Sequence, residues 1–190
     1  MLTIWRTILE KYLIEHCSPT LASLKTANLI NVPVDDSDDL ISSVERLNNE
    51  LSDRGVELIL LRQSSECALI YVCRKSKLRC DLHQKGVSEF LAEYGYNNLD
   101  VDYCIDRLKY RLSSASHFPH EIGLFLGYPL GDVIGFIDNA GQNSMCTGCW
   151  KVYCNQCDAI KTFAKFNKCK KVYTELWLRG RSIKKLTVAS

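Results

Sequence analysis

The chain has 190 residues, of which 46% are hydrophobic and 24% charged, with ten glycines and four prolines. That composition excludes a disordered, collagen-like or low-complexity protein and supplies enough apolar side chains for one compact core. The formal net charge of +2 is unevenly spread, residues 1–54 summing to −4, 55–140 to −2 and 141–190 to +8.

In chain order, the apolar spacing of Ile4, Ile8, Tyr12 and Leu13 predicts a helix ending near His16. Ser18-Pro19-Thr20 reads as a second start, with Ser18 as N-cap and Pro19 at the first helical position, where its missing N–H costs nothing. Leu21, Leu24 and Leu29 extend that helix until Asn31-Val32-Pro33 breaks it. Ser37 caps a third helix, marked by Leu40, Ile41, Val44, Leu47 and Leu51 and stopped by Gly55. The first 54 residues are therefore expected to be helical.

The period then changes. Residues 56–62 and 67–74 are dense aliphatic runs around the polar Gln63-Ser64-Ser65-Glu66, which predicts a β-hairpin. Residues 75–94 return to helical character, closed by Gly95, and Val101, Cys104, Ile105, Leu108 and Leu112 mark another helix. Pro119 opens a short helix through Phe125, and a second follows around 133–137 after Pro129-Leu130-Gly131. Trp150-Lys151-Val152-Tyr153 alternates as a strand would and is expected to join the hairpin in one sheet. Ile160, Phe163, Cys169, Val172, Tyr173, Leu176 and Trp177 line a long final helix that Gly180 ends. The expected fold is α+β: one mostly helical domain over 1–190 with a small antiparallel sheet.

Ten cysteines stand out. No apolar run approaches the roughly 20 residues of a membrane helix, and Arg6, Glu10 and Lys11 interrupt the opening stretch where a signal peptide would be apolar. The expectation is a cytoplasmic protein with no membrane contact, its thiols reduced and mostly core filler. Cys146-x2-Cys149-x4-Cys154-x2-Cys157 has the look of a metal array. However, a strand over 150–153 at about 3.3 Å per residue would hold Cys149 and Cys154 roughly 16 Å apart. Four thiolates on one zinc need sulfurs within about 4 Å of one another. Each pair can still complete a site with other residues, bridge two subunits or act as a redox dithiol.

Two further segments carry ligand-capable groups. In Phe118-Pro119-His120-Glu121 the proline presets a helical turn, which places His120 and Glu121 at a positive dipole end that welcomes an anion. His117 lies three residues earlier. An imidazole beside a carboxylate can serve as acid, base or metal ligand, or Glu121 can simply cap the helix. In His16-Cys17 the thiol precedes the expected helix start, a position that favours thiolate. Cys17 is then a candidate nucleophile or soft metal ligand, or else a buried filler. His16, Cys17, His117, His120 and Glu121 are thus the candidate ligand set, expected to line a common pocket, with Cys17, His120 and Glu121 the candidate catalytic groups.

Lys161, Lys165, Lys168, Arg179, Arg181, Lys184 and Lys185 give residues 161–185 a basic character that can meet phosphate. No aromatic platform or base-reading motif accompanies them. Phosphate-loop, dinucleotide, zincin and nucleophile-elbow motifs are absent.

Three stretches together resemble one family: His16-Cys17-Ser18-Pro19-Thr20 with Lys25; the hairpin Leu60-Leu61-Arg62 to Leu69-Ile70-Tyr71-Val72; and residues 117–139, HFPHEIGLFLGYPLGDVIGFIDN. With Trp150-Lys151-Val152-Tyr153 and Trp177, the chain is similar to a bacterial family common in anaerobes and described only as a domain of unknown function. The resemblance implies a prokaryotic cytosolic protein and transfers no site residue. The leading expectation is binding of a metal ion, cofactor or small anionic ligand near His120 and Glu121. The alternatives are a basic module for nucleic acid or protein at 161–185, and a thiol-dependent enzyme using Cys17.

Overall fold

The computed structural model describes residues 2–34, 37–114 and 118–189, and side chains within 8–34, 40–114 and 118–189. The fold is α+β. Its contacts gather into two compact units, residues 1–76 with 168–190, and residues 77–167. Among the described residues no helix is long and apolar enough to cross a membrane.

In the first unit, helix α1 (Leu2–Leu21) runs straight through Ser18-Pro19, so the restart expected at Ser18 does not occur. Pro19 withholds the N–H that Glu15 O would accept, but Glu15 is exposed and water can serve that oxygen. The helix end is closed by Ala22 N–H on Ser18 O and Leu24 N–H on Pro19 O, both at 2.8 Å. Strand β1 (Ala27–Pro33) replaces the helix expected there. It pairs antiparallel with β3 (Cys67–Cys73), Ala27 opposite Cys73 and Pro33 opposite Cys67.

Strand β2 (Glu57–Gln63) pairs with the other side of β3, forming the predicted hairpin with a bulge between Leu60 and Arg62. The order is β1-β3-β2. As an edge strand β1 tolerates Pro33, which no central strand would. Helix α2 (Ser37–Leu51) and a 3-10 turn (Ser52–Arg54) lead to Gly55, whose φ of 70° turns the chain into β2. Leu13 and Leu21 of α1 and Leu47 and Leu51 of α2 pack with Ile30, Leu58 and Val72 of the sheet, joined by Ile183 and Leu186 of helix α9 (Ile183–Leu186).

A fully buried cation completes this unit. Arg74, the residue after β3, donates from Nε to Thr20 O at 2.7 Å, from one terminal nitrogen to Arg54 O at 3.0 Å, and from the other to Leu21 O at 2.8 Å and Val188 O at 2.7 Å. Thr20 and Leu21 are the last residues of α1, whose final carbonyls have no helical partner. The guanidinium fork caps them and ties the segment at 188 to the same point. Burial pulls its pKa below the usual arginine value.

The second unit is helical apart from one ribbon. Helix α3 (Lys75–Leu82) and helix α4 (Val87–Ala92) are separated at Gly86, whose φ is 85°. Then come α5 (Val101–Ser114), the four-residue α6 (Ile122–Phe125) and α7 (Leu130–Asp138). Strand β4 (Cys146–Thr147) pairs antiparallel with β5 (Lys151–Val152), Cys146 opposite Val152. The strand expected near 150–153 therefore exists, but in its own two-stranded sheet and not beside the hairpin. A tight turn with Gly148 N–H on Trp150 O at 3.0 Å joins it to its neighbour in sequence, with which it pairs.

Helix α8 (Gln156–Leu178) runs from the second unit's residues into the first's. Ala159, Phe163, Phe166 and Cys169 are buried, whereas Ile160 and Val172, expected on the apolar stripe, are exposed.

The ribbon lies close on α7. A methyl group added at Gly135 would collide with the Tyr153 side chain. Alanine normally gains about 1 kcal/mol over glycine inside a helix, but overpacking costs about 1–3 kcal/mol. Gly135→Ala is therefore expected to lower the unfolding free energy in a urea titration, the reverse of what helix propensity alone gives.

Candidate functional site

Pro119 opens a turn in which Ile122 N–H meets Pro119 O and Gly123 N–H meets His120 O, both at 3.2 Å. The turn sends its two polar residues different ways. His120 is exposed and lines a cavity of about 290 Å³. Glu121 is fully buried and absent from the cavity lining. Its Oε1 takes the Arg111 Nε–H and accepts from Tyr96 Oη at 3.3 Å, while its Oε2 has no hydrogen-bond partner among the described residues. Burial first, and the Glu121 charge second, push the Tyr96 phenol pKa up, so it stays a donor. Glu121 makes no side-chain cap at α6, so capping is not its role. Four helical residues also offer little dipole for an anion.

Asp132, in the first turn of α7, organises the cavity wall and is 3% exposed. Its Oδ2 accepts Trp150 Nε1–H at 2.7 Å. Its Oδ1 accepts Tyr153 N–H at 2.7 Å, Cys154 N–H at 2.9 Å and the Cys154 thiol at 3.0 Å. Burial opposes the carboxylate charge, but these donors outweigh it and hold its pKa below the usual aspartate value.

The indole so fixed stacks on Tyr128 at 4.9 Å and meets Phe163 edge-on at 4.6 Å. Tyr128 donates from Oη to Cys149 O at 3.3 Å, and burial pushes its phenol up to about 12. Phe136 forms the rest of the aromatic lining. The His120 ring stands edge-on to it at 5.0 Å, and Lys151 Nζ lies 5.9 Å from its centroid. Lys151 gives one proton to Gly141 O at 2.6 Å, leaving two for a ligand. The result is an apolar, aromatic cavity with an imidazole and an ammonium among its lining groups. Sequence reasoning found His120 and missed Asp132, Tyr128 and Phe136. The one available signal was an acidic residue in the first turn after Pro129.

The remaining candidates fall elsewhere. Cys17 and His16 belong to the first unit and are not among the residues that line this cavity. Cys17 lies inside α1 and not at a helix start; it is fully buried, and burial pushes its thiol up to about 12 against the lowering by Lys25 and Lys170. The thiolate expectation fails with its geometric premise. His16 is exposed with its ring 5.6 Å from Tyr12. His117 lies outside the described residues.

Of the cysteine array, Cys146 and Cys149 are half-buried against Val152 and Phe163, whereas Cys154 and Cys157 are exposed. Among the described residues no three His, Cys, Asp or Glu side chains are grouped to hold a metal. In the basic segment Lys161 is paired with Asp158 at 3.5 Å and Lys184 with Asp53 at 3.0 Å. Lys165, Lys168, Arg179, Arg181 and Lys185 are exposed.

Compared with known proteins, the chain matches one family model over residues 13–187, described as a protein of unknown function, DUF3793. No curated protein and no solved structure matches it.

Proposed function

The chain belongs to the DUF3793 family, whose function is unknown, and we propose from its geometry that the second unit binds a small planar aromatic anion beside His120. One observation carries this reading: an aromatic cavity of about 290 Å³ whose lining includes both His120 and Lys151. Ligand sites are mostly apolar with a few placed polar groups, and run from roughly 300 to 1,000 Å³. This one lies at the small end, which suits a mono- or bicyclic molecule and leaves no room for a dinucleotide. A ring would rest against Trp150 and Phe136. Its carboxylate would take the free Lys151 protons and an imidazole N–H from His120. Asp132 also lines the cavity, and its oxygens are taken by Trp150, Tyr153 and Cys154, so its part is to hold Trp150.

Indole-3-acetate and its neutral amide separate the two halves of this recognition. By calorimetry the acid is expected to bind about tenfold tighter than the amide, the equivalent of ~1.4 kcal/mol. Lys151→Met should erase that difference, and His120→Ala should weaken the acid while far-ultraviolet circular dichroism stays unchanged. Equal binding of acid and amide, or acid binding untouched by both substitutions, would overturn the proposal.

A further inference from the structure

The cysteine array divides by exposure. Of the ten thiols, Cys17, Cys73, Cys104 and Cys169 are buried and Cys67, Cys146 and Cys149 half-buried, leaving Cys80, Cys154 and Cys157 exposed. Two of these three stand three residues apart across the start of α8, with Cys157 the second residue of that helix. Asn155 between them fixes the start, its Oδ1 taking Asp158 N–H at 3.3 Å and its carbonyl taking Ala159 N–H at 3.1 Å. A C-x2-C pair set across a helix start has the spacing that redox dithiols use.

The two thiols have different surroundings. Cys154 is turned inward: its S–H donates to the buried Asp132 Oδ1 at 3.0 Å, and a methyl group at Gly131 would meet its sulfur at 3.3 Å. Cys157 is exposed on the first helical turn and open to a substrate, whereas desolvation and the bond to Asp132 hold Cys154 as a thiol.

We propose that Cys154 and Cys157 are a redox dithiol that undergoes thiol–disulfide exchange with a small disulfide substrate. Cys157 gives its proton to water and its sulfur attacks one sulfur of the substrate; a Cys157–substrate disulfide forms, the substrate S–S bond breaks, and the departing thiolate takes a proton from water. Cys154 then gives up its proton to water and attacks the Cys157 sulfur. The Cys154–Cys157 bond forms, the mixed disulfide breaks, and the second substrate thiolate leaves and takes a proton from water. One disulfide is reduced to two thiols while the protein dithiol is oxidised to a disulfide, so electrons and protons balance. The Cys154–Asp132 hydrogen bond exists only in the reduced form and favours it. Full oxidation therefore calls for an excess of the oxidised substrate.

Oxidised glutathione is the probe. The reduced full chain is incubated with it near neutral pH, alkylated, digested and weighed. The peptide holding both cysteines should lose the mass of two hydrogens and escape alkylation. Cys154→Ser should accumulate a stable glutathione adduct on Cys157. Cys157→Ser should form its Cys154 adduct about tenfold more slowly than that. Similar adduct rates at all three exposed cysteines with no internal disulfide would overturn the proposal. So would one zinc per purified chain that shields both thiols from alkylation.

Discussion

Arg74→Met is expected to cost the protein about 3–5 kcal/mol of stability, read as the loss in urea-unfolding free energy. The isosteric stem keeps the packing, so the loss isolates the fork. Four backbone carbonyls, those of Thr20, Leu21, Arg54 and Val188, lose a donor together. Each buried acceptor left unmade costs about 1–3 kcal/mol, and the total stays below the simple sum because Thr20 O keeps the Ser23 N–H and Leu21 O keeps the Val188 N–H. Arg74→Lys should recover part of it. An ammonium carries the charge but cannot reach four carbonyls with the geometry of a planar fork. If the lysine variant matched wild type, charge alone would be the stabilising element and the fork argument would fail.

Asp132→Asn is expected to cost about 2–4 kcal/mol, because charge-assisted bonds are the strong ones and an amide nitrogen would face a donor on at least one side. The pH dependence gives a second readout. The carboxyl is held below its usual value in the folded chain. Its contribution is therefore complete above the unfolded aspartate pKa of about 3.9 and is lost as pH falls through the lower folded value. Wild type should lose stability on acidification through that window, and the asparagine variant should lose less. Parallel acid limbs in the two proteins would show that Asp132 is not ionised in the fold. Ligand affinity should fall in the same variant, since the amide oxygen goes to the Tyr153 and Cys154 donors and the amide nitrogen then faces the Trp150 indole N–H.

What was legible in the sequence follows from how local each signal is. The hairpin, α2, α5 and α7 rest on periodicity and turn residues within about a dozen positions, and all four stand. Strand β1 does not have that advantage. Its burial alternates poorly along an edge, and Leu21, Leu24 and Leu29 mimic a helical stripe across what is a turn and a strand. Ser18-Pro19 reads as a helix start because Pro19 suits a first turn, yet α1 continues since exposed Glu15 loses little when its carbonyl turns to water. The cavity was half legible. His120 is marked by its proline, but Asp132 becomes visible only once the ribbon folds back onto α7 and brings three donor residues to one carboxylate. No spacing rule encodes that meeting.

The Arg74 clasp also bears on the order in which the molecule can be completed during synthesis. Ribosomes deliver residues in sequence, and the partners of the second unit, 77–167, are contiguous. The first unit is not: Val188 meets Arg74 and Leu21 across more than a hundred residues. Until Val188 has emerged, the guanidinium lacks one of its carbonyls, and the Ile183 and Leu186 side chains are missing from the core. The earlier-made segment must therefore wait, partly open, while the later-made one closes ahead of it, inverting the usual amino-first order of domain folding. A nascent chain halted before residue 183 would carry its exposed apolar helix faces into contact with chaperones.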